Sequence, residues 1–261
     1  MTKDKSSYEK IDYRIRPSKN IERKLLCESF RKLSPFSDIN DYQYVGFGSV
    51  YFSDFILFHK DLGIKKMISV EKDTQNEARF INNIPFKCID LKLGEINDVL
   101  ADISFEAPSI VWFDYDSILD HSMYDAINLL FPRLKSGDVF LITVDVDLHE
   151  PDPKESDSEK IMAAWIDAKK EEISKKMGAE NFPFGVSDIS LHGWGFARLC
   201  KKIITEKIEK AIQDKNLNLV NGKQLHYKQL YNFSYSDGTK MLTVGGKSGD
   251  LRTPIPESFG Q

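Results

Sequence analysis

Carboxylates recur in the first half of this 261-residue chain, each at the end of a short apolar run. Glu71, Asp90 and Asp114 each end such a run, and Asp116 follows the last of them. A carboxylate accepts hydrogen bonds from hydroxyl and amino groups, and in its ionised form it can act as a general base. The residue types therefore predict a ligand site that contains an acid–base group.

Two glycines stand one residue apart in Gly46-Phe47-Gly48-Ser49, at the end of another apolar run. Glycine has no Cβ, so the backbone at such a turn can come close to a ligand. Taken alone, this G-x-G favours an ordinary tight turn. Glu71 follows at the distance at which a carboxylate accepts both hydroxyls of a ribose in nucleotide-binding units, which favours a ligand site. The alternative is that Glu71 only caps the next helix.

The run Ile110–Phe113 is strongly apolar and is followed directly by Asp114, Tyr115 and Asp116. Charges at the tip of a buried strand are costly unless they are paired or used. Alternate residues of a strand point to one side, so we expect Asp114 and Asp116 to lie together. This pattern favours a functional role over a structural one.

Short apolar runs alternate with helical patterns up to residue 147, which predicts a parallel sheet with helices on both faces. Asp237-Gly238 between two later alternating runs predicts an antiparallel hairpin. We therefore expect an α/β fold with a doubly wound, seven-stranded sheet, mostly parallel with a C-terminal antiparallel hairpin, in three αβα layers. The predicted strands are 42–46, 66–71, 86–90, 108–114, 138–145, 225–235 and 240–245. The predicted helices between the first five strands are 54–62, 74–82, 97–103 and 123–134.

Changes in composition divide the chain into a core and several additions. An acidic, proline-bearing loop after Asp147 is followed by two helical patterns, which we interpret as an insertion that covers the substrate. The predicted units are an N-terminal basic arm and helix (1–36), the core (37–148 and 220–247), the insertion (149–219) and a tail (248–261).

The basic residues near the N-terminus could bind a carboxylate or a phosphate. Arg16 and Lys19 flank Pro17 in a segment that is predicted to be extended, which makes them the better candidates for ligand contact. Arg23 and Lys24 are expected on the solvated face of the following helix.

The overall composition excludes several classes of protein. Lys and Arg number 36 against 40 Asp and Glu, so the net charge of −4 argues against a surface for nucleic acid or anionic membrane spread over the whole chain. Three widely separated cysteines predict neither a disulfide framework nor a zinc ribbon and favour a reducing cytoplasm. Without a long apolar run, we expect no membrane partner.

As an ordered set, these motifs resemble those of class I S-adenosylmethionine-dependent methyltransferases. The set comprises Gly46-x-Gly48, Glu71, Asp90, Asp114 and the Asp-Gly hairpin. The resemblance covers residues 40–147 and 225–246, and it implies a Rossmann-like fold with S-adenosylmethionine as the cofactor. The segments 44–52 and 113–116 are most similar to bacterial O-methyltransferase-like proteins of unknown substrate.

The resemblance also implies roles for individual residues. The methionine part of the cofactor would pass along the turn of Gly46, Phe47, Gly48 and Ser49. Glu71 with Lys72 would hold the ribose, and Asp90 would contact the adenine. Asp114 would flank the transferred methyl group and, with Tyr115, position the acceptor, while Asp116 would be the base or orienting acid. O-methylation is expected, with N-methylation left open. The acceptor is open among small molecules, nucleic acids and proteins, and a homodimer is allowed.

Three alternatives follow from departures in the sequence. Tyr44 stands where most members of the class carry an acid, which favours a non-catalytic nucleoside-binding module or sensor subunit. Tyr51 stands where a nicotinamide-dependent oxidoreductase has its third glycine, which disfavours that class. Metal-dependent catechol-type enzymes carry an Asp-Asn pair where this chain has Thr143-Val144-Asp145, so no metal is predicted.

Overall fold

A seven-stranded mixed sheet forms the centre of the protein in the computed structural model, which describes residues 16–151, 158–219 and 224–250. The spatial order is β3-β2-β1-β4-β5-β7-β6; β1 to β5 are parallel, and β7 is antiparallel to both β5 and β6. This confirms the predicted α/β fold and its C-terminal hairpin. The strands are β1 (Gln43–Gly46), β2 (Lys66–Glu71), β3 (Ile89–Leu93), β4 (Ser109–Ile118), β5 (Val139–Asp145), β6 (Leu225–Ser236) and β7 (Lys240–Asp250).

Helices cover both faces of the sheet. Residues of α1 and α2 share one apolar cluster with the first face, and residues of α4 to α7 share the other cluster with the second. The helices are α1 (Pro17–Arg31), α2 (Ser53–Leu62), α3 (Glu77–Asn83), α4 (Ile96–Val99), α5 (His121–Leu130), α6 (Ser158–Met177) and α7 (Gly195–Leu217). None of the helices in the described ranges is long and apolar enough to cross a membrane.

The central strand β4 packs against both helix layers. Ile110 and Trp112 belong to the cluster with α1 and α2, whereas Val111 and Phe113 belong to the opposite cluster. Successive side chains of a strand point to opposite faces, so an uninterrupted apolar run is what a strand covered on both sides requires. After Asp114 the register with β5 becomes irregular, although the strand continues to Ile118.

The predicted position of β3 was wrong by three residues. The strand begins at Ile89, and Asp90 pairs with Ile68 near its start, far from the carboxyl end at Leu93. The alternation of Ile89, Leu91 and Leu93 sets the strand, because Leu91 and Leu93 pack beside Phe80 of α3. Asp90 is exposed and forms an ion pair with Lys92 at 3.1 Å.

Helix α1 begins at Pro17 itself, so Lys19 is helical and does not lie in an extended segment. Proline is well suited to the first helical position, where no backbone N–H is needed. The first two turns reverse the usual amphipathic pattern, since Lys19, Glu22 and Arg23 are buried while Ile21 is 59% exposed. The placement of Arg23 on a solvated face was therefore wrong.

The predicted insertion divides into two parts. In α7, Phe196, Cys200, Ile204 and Ile208 are buried in the same cluster as β5 and α5. This helix is therefore part of the layer that covers the sheet, and Ile166, Ile173 and Met177 of α6 are buried in the same cluster. The role of 149–194 as a lid stays a prediction. Residues 248–250 continue β7, while the basic arm before Arg16, residues 152–157 and the tail after Asp250 lie outside the described residues.

Candidate functional site

A cavity of about 470 Å³ opens at the carboxyl ends of β1, β2 and β4. This volume is within the range of pockets that hold small organic ligands. Gly46, Asp90 and Lys19 are not among its lining residues. The predicted site residues that line it are Arg16, Phe47, Gly48, Ser49, Glu71, Lys72, Asp114, Tyr115 and Asp116.

The turn after β1 has an unusual backbone. Ser49 and Phe52 have φ values of 48° and 47°, a left-handed conformation that costs a non-glycine residue on the order of 1–3 kcal/mol. A Cβ on Gly46 would lie 2.5 Å from the Tyr44 hydroxyl, and one on Gly48 would lie 2.5 Å from Ser69 Oγ. The two glycines therefore make room for the protein's own side chains, which differs from the expectation that a ligand requires them.

Glu71 ends β2 with its side chain only 8% exposed. Ser69 Oγ donates to its carboxylate at 3.2 Å and accepts from the Gly48 amide at 3.1 Å, which ties Glu71 to the turn after β1. Burial raises the pKa of Glu71 to about 7, and hydrogen bonds from Ser69 and from the backbone of Ser49 and Gly48 act in the opposite direction. This carboxyl therefore keeps its proton to a higher pH than an exposed glutamate does.

Asp114, the last residue of β4 before its register with β5 becomes irregular, is held by a cation from α1. Lys19 Nζ lies 2.6 Å from Asp114 Oδ1 and 2.7 Å from Glu22 Oε2, and it lies 4.4 Å from the centre of the Trp112 ring. The Lys19 side chain is 1% exposed. Lys19 therefore acts on the cavity through Asp114 instead of contacting the ligand as expected.

Tyr115 and Asp116 follow Asp114 along the cavity wall. The centres of the Tyr115 and Phe47 rings lie 5.1 Å apart. Burial raises the pKa of the Tyr115 hydroxyl, and this hydroxyl has no hydrogen-bond partner in the described part of the chain. Asp116 is exposed and forms no hydrogen bond or ion pair with any described residue. Its two carboxylate oxygens are therefore available to a ligand.

Tyr44 reaches an acid that comes from another element. Its hydroxyl donates to Asp54, a residue of the first turn of α2 that is 6% exposed and lines the cavity. Burial raises the pKa of Asp54, and the charge of Arg23 lowers it. Position 44 carries no acid, but Asp54, ten residues further along the chain, brings a carboxyl group to the Tyr44 hydroxyl.

Five charged lining residues were not assigned to the site by the sequence reasoning: Arg23, Asp54, Asp73, Glu95 and Asp120. Glu95 follows the true end of β3, and the alternation of leucines in that strand could have revealed it. Asp120 accepts from the Met123 amide at 3.2 Å and so caps α5. Arg23 follows Arg16 by two helical turns, a spacing that places both on one face.

Asp145, at the end of β5, is engaged within the protein. Its carboxylate accepts from the Asp147 amide at 2.8 Å and from the Thr239 hydroxyl at 3.0 Å. Within the three described ranges, no group of three or more His, Cys, Asp or Glu side chains is arranged to hold a metal ion. The predicted absence of a metal stays a prediction.

Comparison with solved structures finds similar chains at low sequence identity. One is described as "putative S-adenosylmethionine dependent methyltransferase from Listeria monocytogenes" (TM-score 0.47, 11% identity, 85% of this chain and 98% of that chain). Another is M. jannaschii TYW2 in complex with AdoMet (TM-score 0.43, 16% identity, 86% and 75%). A third is LepI in complex with SAM (TM-score 0.45, 10% identity, 83% and 46%), so the chain spans less than half of LepI.

Sequence comparison gives the assignment. No curated protein matches the chain. The family model described as "Putative O-methyltransferase" matches residues 11–248, which includes all seven strands up to Ser248 of β7. The chain therefore belongs to this O-methyltransferase family.

Proposed function

We propose that the protein transfers a methyl group from S-adenosylmethionine to a hydroxyl oxygen of an acceptor, with both ligands in the cavity at the ends of β1, β2 and β4. The observation that carries this proposal is the buried Glu71, held beside the turn after β1 at the rim of a cavity of about 470 Å³. A carboxylate at the end of the second strand is suited to the diol of a ribose. Family membership supports the type of reaction.

The residues of the cavity fit the proposed cofactor. Glu71 offers acceptors for two hydroxyl groups, and Phe47, Val70 and Ile96 offer apolar surface. Arg23 and Asp54 offer a cation and an anion for the charged end of an amino acid. We replace Asp90 with Gly94 and Glu95 as the groups beside the adenine, since they follow the carboxyl end of β3 and line the cavity.

S-adenosylmethionine, when bound, supplies an electrophilic methyl group whose transfer leaves a neutral thioether. The chain's own task is then to align the acceptor hydroxyl and to accept its proton. We assign proton acceptance to Asp116, because this exposed carboxylate has no partner among the described residues. Asp114 is better suited to orient the acceptor, because Lys19 already compensates its charge.

The acceptor would enter beside the segment that follows β5. Glu150 accepts from the Gly193 amide at 2.6 Å and lies 3.7 Å from Lys240 Nζ, next to Met241 of the cavity wall. We propose that these contacts hold the described parts of segment 149–194 over the acceptor side as a lid. Large apolar side chains in it, such as Phe184 and Trp194, would then contact an acceptor or its surroundings.

Calorimetric titration of the purified protein with S-adenosylmethionine, S-adenosylhomocysteine and NAD tests the cofactor. We expect binding of both sulfur compounds and none of NAD. Failure of the folded protein to bind either sulfur compound would contradict the proposal.

Incubation with a cofactor that carries a labelled methyl group tests the transfer. A panel of hydroxylated and aminated compounds, with RNA and protein extracts, separates O- from N-methylation and identifies the acceptor class. The non-catalytic alternative, which rested on Tyr44, predicts binding without label transfer. Its basis is weakened by Asp54, which brings a carboxylate to the Tyr44 hydroxyl.

A further inference from the structure

The start of α1 buries charged side chains, and two of them, Arg16 and Arg23, line the cavity. Arg16, Lys19, Glu22 and Arg23 are all 7% exposed or less. A buried charge is costly unless it is paired or binds a ligand. Lys19 and Glu22 pair with each other, and Lys19 also pairs with Asp114, so the charges of these two residues are compensated within the protein.

Arg23 differs from Lys19 in its surroundings. Its side chain is 5% exposed and lines the cavity, and its hydrogen bond to Asn20 Oδ1 is a long one of 3.4 Å. Among the described residues, its Nε has no hydrogen-bond partner and no carboxylate lies within ion-pair distance of the guanidinium. A buried guanidinium of this kind is suited to bidentate contact with a carboxylate.

Asp54 lies near Arg23 in the same cavity but does not pair with it. The positive charge of Arg23 acts on the Asp54 carboxyl, although the two groups are too far apart for an ion pair. Tyr44 donates to one oxygen of Asp54 and fixes the carboxylate at the start of α2. The cavity wall thus carries a buried guanidinium and a buried carboxyl group that form no ion pair with each other.

We propose that Arg23 binds the carboxylate of the aminoacyl group of the cofactor, and that the Tyr44–Asp54 pair binds its ammonium. An α-amino acid carries both charges on one carbon, so it can contact Arg23 and Asp54 together. The inference rests on the proposed function and adds to it the recognition of one end of the cofactor. It also replaces Lys19 with Arg23 as the cation of this subsite.

The test compares two ligands by calorimetry: S-adenosylhomocysteine and its decarboxylated analogue, which keeps the amine. For the wild-type protein we expect a preference of about 10- to 100-fold for the carboxylate-bearing ligand. Arg23→Gln should remove this preference and leave the affinity for the decarboxylated analogue within about twofold. Lys24→Gln, which removes the same charge from the exposed neighbouring position, should leave the preference unchanged.

An unchanged preference in Arg23→Gln would overturn the inference while leaving the proposed function intact. If that variant does not fold, Arg23→Lys decides, because it keeps the charge but loses the bidentate geometry and should reduce the preference several-fold. A deaminated analogue of S-adenosylhomocysteine, which keeps the carboxylate, tests Asp54. Asp54→Asn should reduce the preference for S-adenosylhomocysteine over this deaminated analogue, and an unchanged preference would remove Asp54 from the subsite. If the folded wild-type protein binds none of these ligands, the proposed function itself fails.

Discussion

Glu71 and Asp54, on the β1–β2 side of the cavity, are buried and hydrogen-bonded, whereas Asp116 on the β4 side is exposed and has no partner among the described residues. Buried carboxylates held by fixed donors are suited to recognising one ligand group in one geometry. An exposed carboxylate without a partner in the protein can accept a hydrogen bond or a proton from a bound ligand. We therefore propose that cofactor recognition lies on one side of the cavity and proton transfer on the other.

The largest expected effect is the loss of methyl transfer on substitution of Asp116. We expect Asp116→Asn to lower methyl transfer by about 10²- to 10⁴-fold, because an amide cannot accept the acceptor's proton. Affinity for S-adenosylhomocysteine should stay within about twofold, since the proposed cofactor-binding groups lie on the other side. Label transfer and titration on the same preparation measure the two quantities, with Ser117→Ala as the control. Full activity in Asp116→Asn would remove the division of roles.

Lys19 ties α1 to Asp114 of β4, and its loss should destabilise the fold. Lys19→Met leaves Glu22 and Asp114 without their cation, and breaking a buried pair in this way costs about 3–5 kcal/mol. Urea unfolding at pH 7 measures the loss. Lys24→Met is the matched control at an exposed position of the same helix and should change stability by less than about 0.5 kcal/mol. Equal stability of both variants would contradict the role of Lys19.

The free energy of unfolding of the ligand-free protein should fall as the pH rises, because buried Glu71 must then lose its proton. Its folded-state pKa of about 7 lies above its ordinary value of 4.5, so between these values the folded state keeps a proton that the unfolded state releases. Stability is therefore lost across this window, by up to about 3 kcal/mol. Glu71→Gln should show less of this loss when unfolding is measured at pH 4.5 and pH 8. Parallel pH profiles of the two proteins would contradict the assignment.

The smallest effect is the pH dependence of cofactor binding. If the ribose binds ionised Glu71, affinity for S-adenosylhomocysteine should fall by up to about tenfold for each pH unit below 7. The Glu71→Gln variant should bind more weakly at pH 8 and lose this dependence. Titrations at pH 6, 7 and 8 measure it. A dependence that survives in the variant would assign the proton to another group, such as Asp54.

The order of elements could be predicted from the sequence because it depends on local patterns. Short apolar runs, helical spacings and Asp237-Gly238 predicted all seven strands, and the bounds of β2 were correct. The error at β3 arose because Phe86 and Cys88 are apolar and alternate with Lys87, as in a strand, but precede the observed strand. Packing of Leu91 and Leu93 on Phe80 decided the register instead, and with it the loss of Asp90 from the site.

The sequence by itself determined which types of residue end the strands, since buried parallel strands require apolar runs and place the acids that follow them at one edge. Only the tertiary structure decided which charges meet. The burial of Arg23, the pairing of Lys19 with Asp114 and the reach of Tyr44 to Asp54 each depend on how α1 and α2 lie against the sheet. Such contacts depend on how different elements pack, and a local pattern carries no signal of them.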